Sequence, residues 1–294
     1  MWTFGYGSNM SVSTMRDIKG HNVLDHFVGV VKGYKLSYNF NIAAWSKVEP
    51  AFANAIKGED NDEVHGVAIQ LSEEGMKKLD AQEWTYSKVR VTVKGYEGRV
   101  VKDCSMYVMT DEQRFFLPLD KQNPSARYLR LIVKGAVESG LDENYINGLQ
   151  LTKSYKPDNE TLERRKTIPL PRSLNPYTVE KLFATKAQTL SELMDTETAF
   201  AFISMLGYVI RVPSNKIVYK SYIGRDLTSI NLKRFRGQHF VSEDDMGRPP
   251  YPDVVNLSED EKEYLYHHMD NYLDNGEIVG YLQEFQAEND VTKM

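Results

Sequence analysis

Apolar and polar residues alternate along several short stretches in the first half of the chain, most clearly over 34–40, which is typical of half-buried β-strands. Acidic or glycine-containing turns at 58–62 and 95–98 separate neighbouring stretches. Short strands with helices at the margins predict an α+β fold, with a small mixed β-barrel or a curled sheet flanked by helices. The predicted strands cover 2–4, 28–31, 34–40, 51–56, 64–71, 89–93 and 100–109, and the predicted helices cover 72–79, 128–139 and a segment from residue 142.

The pattern changes after residue 155. Residues 156–176 are charged and contain Pro169, Pro171 and Pro176, which is typical of a linker. Helical spacing follows at 179–184, 190–206 and 258–273, and the segments 208–212 and 216–220 are predicted to pair as strands. We therefore expect a first domain over 1–155, a linker over 156–176, and a smaller, mostly helical α+β domain over 177–294 whose role the sequence leaves open.

A short polar loop with the sequence Tyr-Gly-Ser-Asn-Met, residues 6–10, follows the first predicted strand and precedes a helix-like stretch. Glycine lets backbone N–H groups approach a ligand closely, and the N-terminus of a helix favours an anion. The loop is too short for a nucleotide-phosphate cradle and has no lysine, so a small carboxylate suits it better. A strand–turn–helix junction that binds no ligand would have the same pattern and stays open as the alternative.

A second candidate, Glu83, stands beside Trp84 at the junction of a predicted helix and a predicted strand. An apolar neighbour and partial burial raise the pKa of a carboxyl group towards neutrality, which suits proton exchange with an amine. A solvated glutamate at the end of a helix is the alternative, and for an isolated glutamate it is the more common one.

Composition narrows the function classes. The net charge of −5 over 294 residues argues against a nucleic-acid partner, and no apolar stretch approaches the ~18 residues that span a membrane. The N-terminus lacks the features of a signal peptide, and a single cysteine, Cys104, forbids an internal disulfide, so we expect a cytoplasmic protein. No His, Cys and carboxylate set has zinc spacing and no Gly-x-Ser-x-Gly elbow is present, so we expect neither a metal, nor a cofactor, nor an enzyme nucleophile.

Taken together, these motifs resemble the γ-glutamylcyclotransferase family over the N-terminal half of the chain. The family's Tyr-Gly-Ser-Asn opening matches Tyr6 to Met10, and its Leu-Asp-x-x-Glu element matches the segment from Leu79 to Glu83. A family barrel strand matches residues 62–67, where His65 replaces a frequent tryptophan, and a helix–loop–helix matches residues 128–145. Four segments in the same order make the resemblance specific.

The resemblance implies an enzyme without a cofactor that catalyses an intramolecular aminoacyl transfer with a lyase-type outcome. The α-amine of the substrate attacks its own γ-glutamyl carbonyl, which forms 5-oxoproline and releases an amino acid or an amine. Glu83 is implied as the general base and acid. The implied substrate-binding residues are Gly7, Ser8 and Asn9 through backbone N–H groups, Tyr6 and Met10 in the same loop, and Tyr86 and Tyr145 through their hydroxyl groups.

Several alternatives stay open at this point. Asn9 favours a γ-glutamyl amino acid or amine over glutathione as the substrate, although the family belongs to glutathione metabolism. His65 and Trp84 depart from the family pattern and are expected to alter the walls of the pocket. The chain is alternatively a non-catalytic protein that binds a small carboxylate, or a biosynthetic enzyme that removes a γ-glutamyl protecting group. The expected partner is a small γ-glutamyl molecule, and a homodimer is compatible with the sequence.

Overall fold

A computed structural model describes residues 1–41, 46–110, 116–195, 199–217, 220–236 and 248–288. The chain divides into two compact units, Met1–Lys156 and Pro157–Met294, and each unit has its own hydrophobic core. Among the residues so described, no helix combines the length and the apolar character that crossing a membrane would require.

The first unit is a mixed barrel with flanking helices. Strands β1, β5, β2, β6 and β7 form the closed barrel in that order; β1 and β7 pair in parallel, and β3 and β4 form a separate hairpin. This confirms the predicted small mixed β-barrel flanked by helices. The strands are β1 (Trp2–Gly5), β2 (Val23–Lys32), β3 (Tyr34–Phe40), β4 (Phe52–Lys57), β5 (Glu63–Leu71), β6 (Ser87–Gly95) and β7 (Val100–Val108), and the helices are α1 (Glu73–Gln82), α2 (Ala126–Ser139) and α3 (Glu143–Gln150).

Local sequence explains where the helices of this unit begin and end. The side chain of Ser72 accepts a hydrogen bond from the N–H of Gly75 and caps α1, while Ser125 caps α2 through the N–H of Tyr128. Helix α2 ends at Gly140, whose φ of 71° is the left-handed conformation that glycine adopts without strain. Glu83 is the C-cap residue directly after α1, and Tyr128 lies in the first turn of α2.

The strand register brings distant segments to one end of the barrel. Because β1 runs parallel to β7, with Phe4 opposite Met106, both strands end on the same side. Strand β6 runs antiparallel to β7, with Ser87 opposite Val108, so β6 begins on that side. The loop after β1, the end of β7 and the segment that joins α1 to β6 therefore meet at one end of the barrel.

The second unit is built on a four-stranded sheet in the order β8-β11-β10-β9, in which β8 and β11 are parallel and the other pairs are antiparallel. Its core includes Ile203, Val209 and Leu265. The elements are α4 (Asn159–Lys166), β8 (Pro176–Tyr177), α5 (Val179–Asp195), β9 (Phe200–Met205), β10 (Tyr208–Pro213), α6 (Thr228–Phe235), α7 (Glu259–Leu273), β11 (Glu277–Leu282) and α8 (Gln283–Glu288).

Some details of the second unit differ from the prediction. The helix predicted over 190–206 ends at Asp195, and Phe200–Met205 is a strand, because an apolar run of this length fits a buried strand as well as a helix until its neighbours are known. The strand Tyr208–Pro213 pairs with β9 and β11 rather than with 216–220; residues 214–216 form a 3₁₀ turn, and Val218 and Tyr219 lie outside the described residues. The segment 156–176 contains α4, whose Arg165 bonds the buried Asp270 at 2.6 Å.

Candidate functional site

A pocket opens at the end of the barrel where β1, β6 and β7 meet. It has about 370 Å³ of empty space, a value that includes the solvent at its open mouth. Its lining comes from the loop after β1, from the end of α1, from β4 and β7, and from the start of α2. The lining residues are Phe4, Gly5, Tyr6, Gly7, Ser8, Asn9, Ala53, Glu83, Tyr86, Tyr107 and Tyr128.

The loop after β1 is folded tightly against the rest of the pocket. The N–H of Met10 donates to the carbonyl of Gly7 at 3.0 Å, which closes a turn over residues 7–10. A Cβ atom on Gly5 would lie 2.5 Å from the carbonyl oxygen of Asn9, so only glycine permits this path of the chain. Within the described residues, the N–H groups of Gly7, Ser8 and Asn9 have no acceptor in the protein, which leaves them available to an anion.

Glu83 is the acidic side chain of the pocket. It is the C-cap residue of α1, and its Oε1 accepts a hydrogen bond of 2.9 Å from the side-chain amide of Asn9. The carbonyl of that amide accepts in turn from the ammonium group of Lys19. In the part of the chain that the structure covers, no donor bonds Oε2 of Glu83, so this oxygen is available to a ligand.

Four tyrosines surround the carboxyl group of Glu83: Tyr6, Tyr86, Tyr107 and Tyr128. Burial raises the pKa of each phenol well above its ordinary value, so all four are neutral hydroxyl groups at physiological pH. Some of these hydroxyl groups already bond to the protein. Tyr6 donates to the carbonyl of Tyr107 at 2.5 Å, and Tyr107 donates to the carboxylate of Asp80.

The other two hydroxyl groups are better placed for a ligand. The Tyr128 hydroxyl accepts a long hydrogen bond of 3.4 Å from the N–H of Ala53, and its ring packs edge-on against Phe52. The ring of Tyr86 packs edge-on against Phe40, with centroids 5.4 Å apart. These ring contacts hold both side chains in place at the lining of the pocket.

The structure brings together most of the residues that the sequence suggested. Tyr6, Gly7, Ser8, Asn9, Glu83 and Tyr86 all line the pocket. Met10 does not line it, because its side chain is fully buried in the core. Tyr145 does not line it either: its ring stacks on His65, with centroids 4.3 Å apart and planes 13° apart.

The two residues that were expected to alter the pocket walls lie outside the lining. Trp84 is 78% exposed, so it does not cover the carboxyl group of Glu83. His65 bonds the hydroxyl of Tyr96 at 2.6 Å and the carboxylate of Glu63 at 3.1 Å. The polar surroundings of Glu83 are therefore set by Asn9 and the tyrosines rather than by an apolar ring.

Sequence reasoning missed Tyr107, Tyr128, Ala53 and Lys19. Tyr107 and Tyr128 are two of 18 tyrosines, and no local pattern separates them from the rest. The signal that could have found Tyr107 is the parallel pairing of the first and last barrel strands, which places the end of β7 beside the loop. Lys19 lies ten positions after Asn9, in a segment without a regular pattern.

Other chemistry receives no support from the described residues. No group of three His, Cys, Asp or Glu side chains among them is arranged to hold a metal ion. The free thiol of Cys104 is buried, and burial raises its pKa to about 12, which makes it a poor nucleophile.

Comparisons with known proteins point to one family. Residues 63–149, a segment that includes Glu83, match the model of the AIG2-like family. The chain is similar to γ-glutamylcyclotransferase from Homo sapiens, with 26% identity over 162 residues that cover 54% of this chain and 80% of the human protein. It is also similar to the enzyme from Bos taurus, with 27% identity over 146 residues that cover 48% of this chain and 73% of the bovine protein. A solved γ-glutamyl cyclotransferase structure aligns with a TM-score of 0.45 and 23% identity over 57% of this chain and 98% of that structure.

Proposed function

The N-terminal half of this chain belongs to the γ-glutamylcyclotransferase family, and on that premise we propose that the protein cyclises a γ-glutamyl group to 5-oxoproline and releases a free amine. The observation that carries the proposal is the position of Glu83. Its carboxyl group lies in the same pocket as the glycine loop, with one oxygen bonded to Asn9 and the other available. A site that only bound the carboxylate of a ligand would have no need of a carboxylate of its own, such as that of Glu83.

The loop gives the substrate its orientation in this proposal. The N–H groups of Gly7, Ser8 and Asn9 bind the α-carboxylate of the glutamyl group, as backbone donors bind anions elsewhere. With that end held, the α-amine and the γ-carbonyl of the same group are brought together towards Glu83. Closure of a five-membered ring between two groups of one molecule has a high effective molarity, so the enzyme chiefly positions the substrate.

Glu83 carries the proton in this proposal. Its carboxylate accepts a proton from the α-ammonium group, and the resulting amine attacks the γ-carbonyl carbon to form the ring C–N bond. Glu83 then returns that proton to the leaving nitrogen as the original amide C–N bond breaks. Its carboxylate takes the remaining extra proton from the ring nitrogen and passes it to the released amine, which leaves as an ammonium ion. In this proposal the neutral hydroxyl groups of Tyr86 and Tyr128 donate hydrogen bonds to the substrate. These bonds stabilise the oxyanion that forms on the γ-carbonyl oxygen between attack of the amine and loss of the leaving group.

We propose a γ-glutamyl amino acid or γ-glutamyl amine as the substrate, in a cytoplasmic reaction. The buried free thiol of Cys104 fits a reducing compartment. Two narrower possibilities share the same site: removal of a γ-glutamyl protecting group from a biosynthetic product, and carboxylate sensing without turnover. They differ from the main proposal in what the protein releases.

The test is release of 5-oxoproline from a panel of γ-glutamyl amino acids, γ-glutamyl amines and glutathione. Glu83→Gln keeps the size of the side chain and removes its ability to carry a proton, so we expect a loss of about 10²–10⁴-fold in kcat. Glu74→Gln is the matched control, because Glu74 lies on the same helix and is exposed outside the pocket. Release that persists at the wild-type rate in Glu83→Gln would refute the proton-transfer role, and no release from any substrate would favour the sensing alternative.

A further inference from the structure

Lys19 lies beside the pocket although its sequence position gave no hint of a role. It follows a short π-helical segment, Thr14–Ile18, and its backbone N–H bonds the carbonyl of Thr14 at 2.9 Å. Single π-helical turns occur frequently at functional sites. The ammonium group of Lys19 donates a hydrogen bond to the side-chain carbonyl of Asn9, and burial lowers the pKa of the amine while the charge of Glu83 opposes that change.

The backbone around Lys19 is attached to the helix that carries Glu83. The ring nitrogen Nε2 of His21 lies 3.0 Å from the side-chain oxygen of Gln82, the residue directly before Glu83. The ammonium group of Lys78, also on α1, donates to the carbonyl of Gly20 at 3.2 Å. These two contacts fix the position of the segment 19–21 relative to the end of α1, and thereby the distance from Lys19 to Glu83.

The amide of Asn9 connects Lys19 to Glu83 in only one orientation. A side-chain amide has one oxygen that accepts and one nitrogen that donates. Lys19 has protons only to donate, so it binds the oxygen and turns the nitrogen towards the carboxylate of Glu83, where the N–O distance is 2.9 Å. Among the described residues, Lys19 is the donor at that oxygen, so its loss would remove one of the two hydrogen bonds that hold the amide in this orientation.

Lys19 also supplies a positive charge near Glu83. The charge of Glu83 acts on the amine of Lys19 and opposes the fall in its pKa that burial causes. Helix α1 has no basic residue in its last turn, and the C-terminal end of a helix disfavours an anion. A cation from another segment therefore compensates for the helix end at the position of Glu83.

We propose that Lys19 is a positioning residue: it holds the side-chain amide of Asn9 with the nitrogen towards the carboxylate of Glu83. The proposal rests on the proposed function in that it assigns Glu83 a proton-transfer role. The hydrogen bonds of Asn9, however, exist whether or not the protein turns over a substrate.

The experiment observes the side-chain amide of Asn9 directly. Proton–nitrogen NMR of asparagine-labelled protein resolves the side-chain NH2 groups, and the spectrum of Asn9→Asp identifies the pair of signals that belongs to Asn9. In Lys19→Met, which cannot donate to the amide oxygen, we expect the two amide protons to interchange faster than in the wild type. In Lys19→Arg and Lys19→Gln, which keep a donor, we expect an interchange rate close to that of the wild type.

Lys78→Met is the matched control, because it removes an amine that bonds the same segment without contacting Asn9. An unchanged interchange rate in Lys19→Met would overturn the proposal, and so would an equal rise in Lys78→Met or in Lys19→Arg. Lys19→Ala also lacks a donor for Asn9, so it provides the same test if Lys19→Met does not fold.

Kinetics supply the second readout. In Lys19→Met we expect kcat to fall while KM stays close to the wild-type value, because the N–H groups of the loop still bind the substrate, and in Lys19→Arg we expect kcat to recover. If the wild-type protein releases no 5-oxoproline, the proposed function fails, while the NMR measurement still decides the role of Lys19.

Discussion

Glu83 in the first unit and Asp226 in the second are both carboxyl groups surrounded by protein, but their hydrogen bonds differ. Asp226 is fully buried and accepts from the hydroxyl of Ser204 at 2.5 Å, from the N–H of Thr228 at 3.0 Å and from the hydroxyl of Thr228 at 3.2 Å. Glu83 is partly exposed and accepts from the amide of Asn9. One carboxyl group is saturated with donors from the protein and the other retains an available oxygen.

This difference separates a carboxyl group that stabilises a fold from one that serves a ligand. The bonds to Asp226 join the end of β9 to the start of α6, so they hold the second unit together. Burial nevertheless raises the pKa of Asp226 to about 6. A raised pKa alone therefore does not identify a reactive carboxyl group. The position of Glu83 in an open pocket, with neutral donors around it, is what distinguishes it.

The largest expected effect is on turnover in Glu83→Gln. The loss of about 10²–10⁴-fold in kcat should leave the free energy of unfolding unchanged, because the new side-chain oxygen can still accept from Asn9. Urea unfolding of both proteins measures the stability, and 5-oxoproline release measures the turnover. A large fall in stability would place Glu83 in the same class as Asp226.

Asp226→Ala should have the opposite profile. The change leaves the hydroxyl of Ser204 and the N–H groups of Thr228 and Gly207 without their buried acceptor, which should cost about 3 kcal/mol of unfolding free energy. All residues that line the pocket belong to the first unit, so kcat/KM per folded molecule should stay at the wild-type value. Calorimetry and kinetics at a temperature where the variant is folded check both statements.

A smaller effect should separate two tyrosines that the sequence treated alike. Tyr86→Phe removes a hydroxyl from the pocket lining and should lower kcat/KM about tenfold, the effect of one lost hydrogen bond. Tyr145→Phe removes a hydroxyl from a ring that stacks on His65 outside the lining, so it should leave kcat/KM unchanged. Equal losses in the two variants would mean that the substrate extends to α3.

The smallest effect should appear in the pH dependence of stability. The pKa of Asp226 in the folded state, about 6, lies above its ordinary value of 3.8, so the folded unit binds this proton more tightly than the unfolded chain does. Lowering the pH from 7 to 5 should therefore stabilise the second unit by about 1 kcal/mol through this group. Asp226→Asn cannot titrate, and the difference between its unfolding curves and those of the wild type isolates the contribution.

Much of the first unit could be predicted from the sequence. The alternation in segments such as 34–40 predicted strands, and the pattern over 72–79 predicted α1, because both signals act between residues close together in the chain. The glycine loop and Glu83 were also found as candidates, since each occupies a junction between elements. Their meeting in one pocket was implied by the resemblance to a family rather than by their own patterns.

The choice among the tyrosines could not be predicted in the same way. Tyr107 reaches the loop because β7 closes the barrel against β1, a pairing between segments about a hundred residues apart. Tyr145 was assigned to the site by the family resemblance, yet its ring stacks on His65. The strand Phe200–Met205 was predicted as helix for a related reason: its partners in the sheet, not its composition, decide its conformation.

By itself, the sequence determined short-range features of this protein, such as the alternation of the strand over 34–40 and the polar glycine loop over 6–10. The tertiary structure alone decided which distant groups became neighbours. Lys19, Asn9 and Glu83 form one chain of hydrogen bonds only because the barrel closes and the segment 19–21 docks on α1. Contacts of this kind depend on long-range packing, which no local pattern of residues encodes.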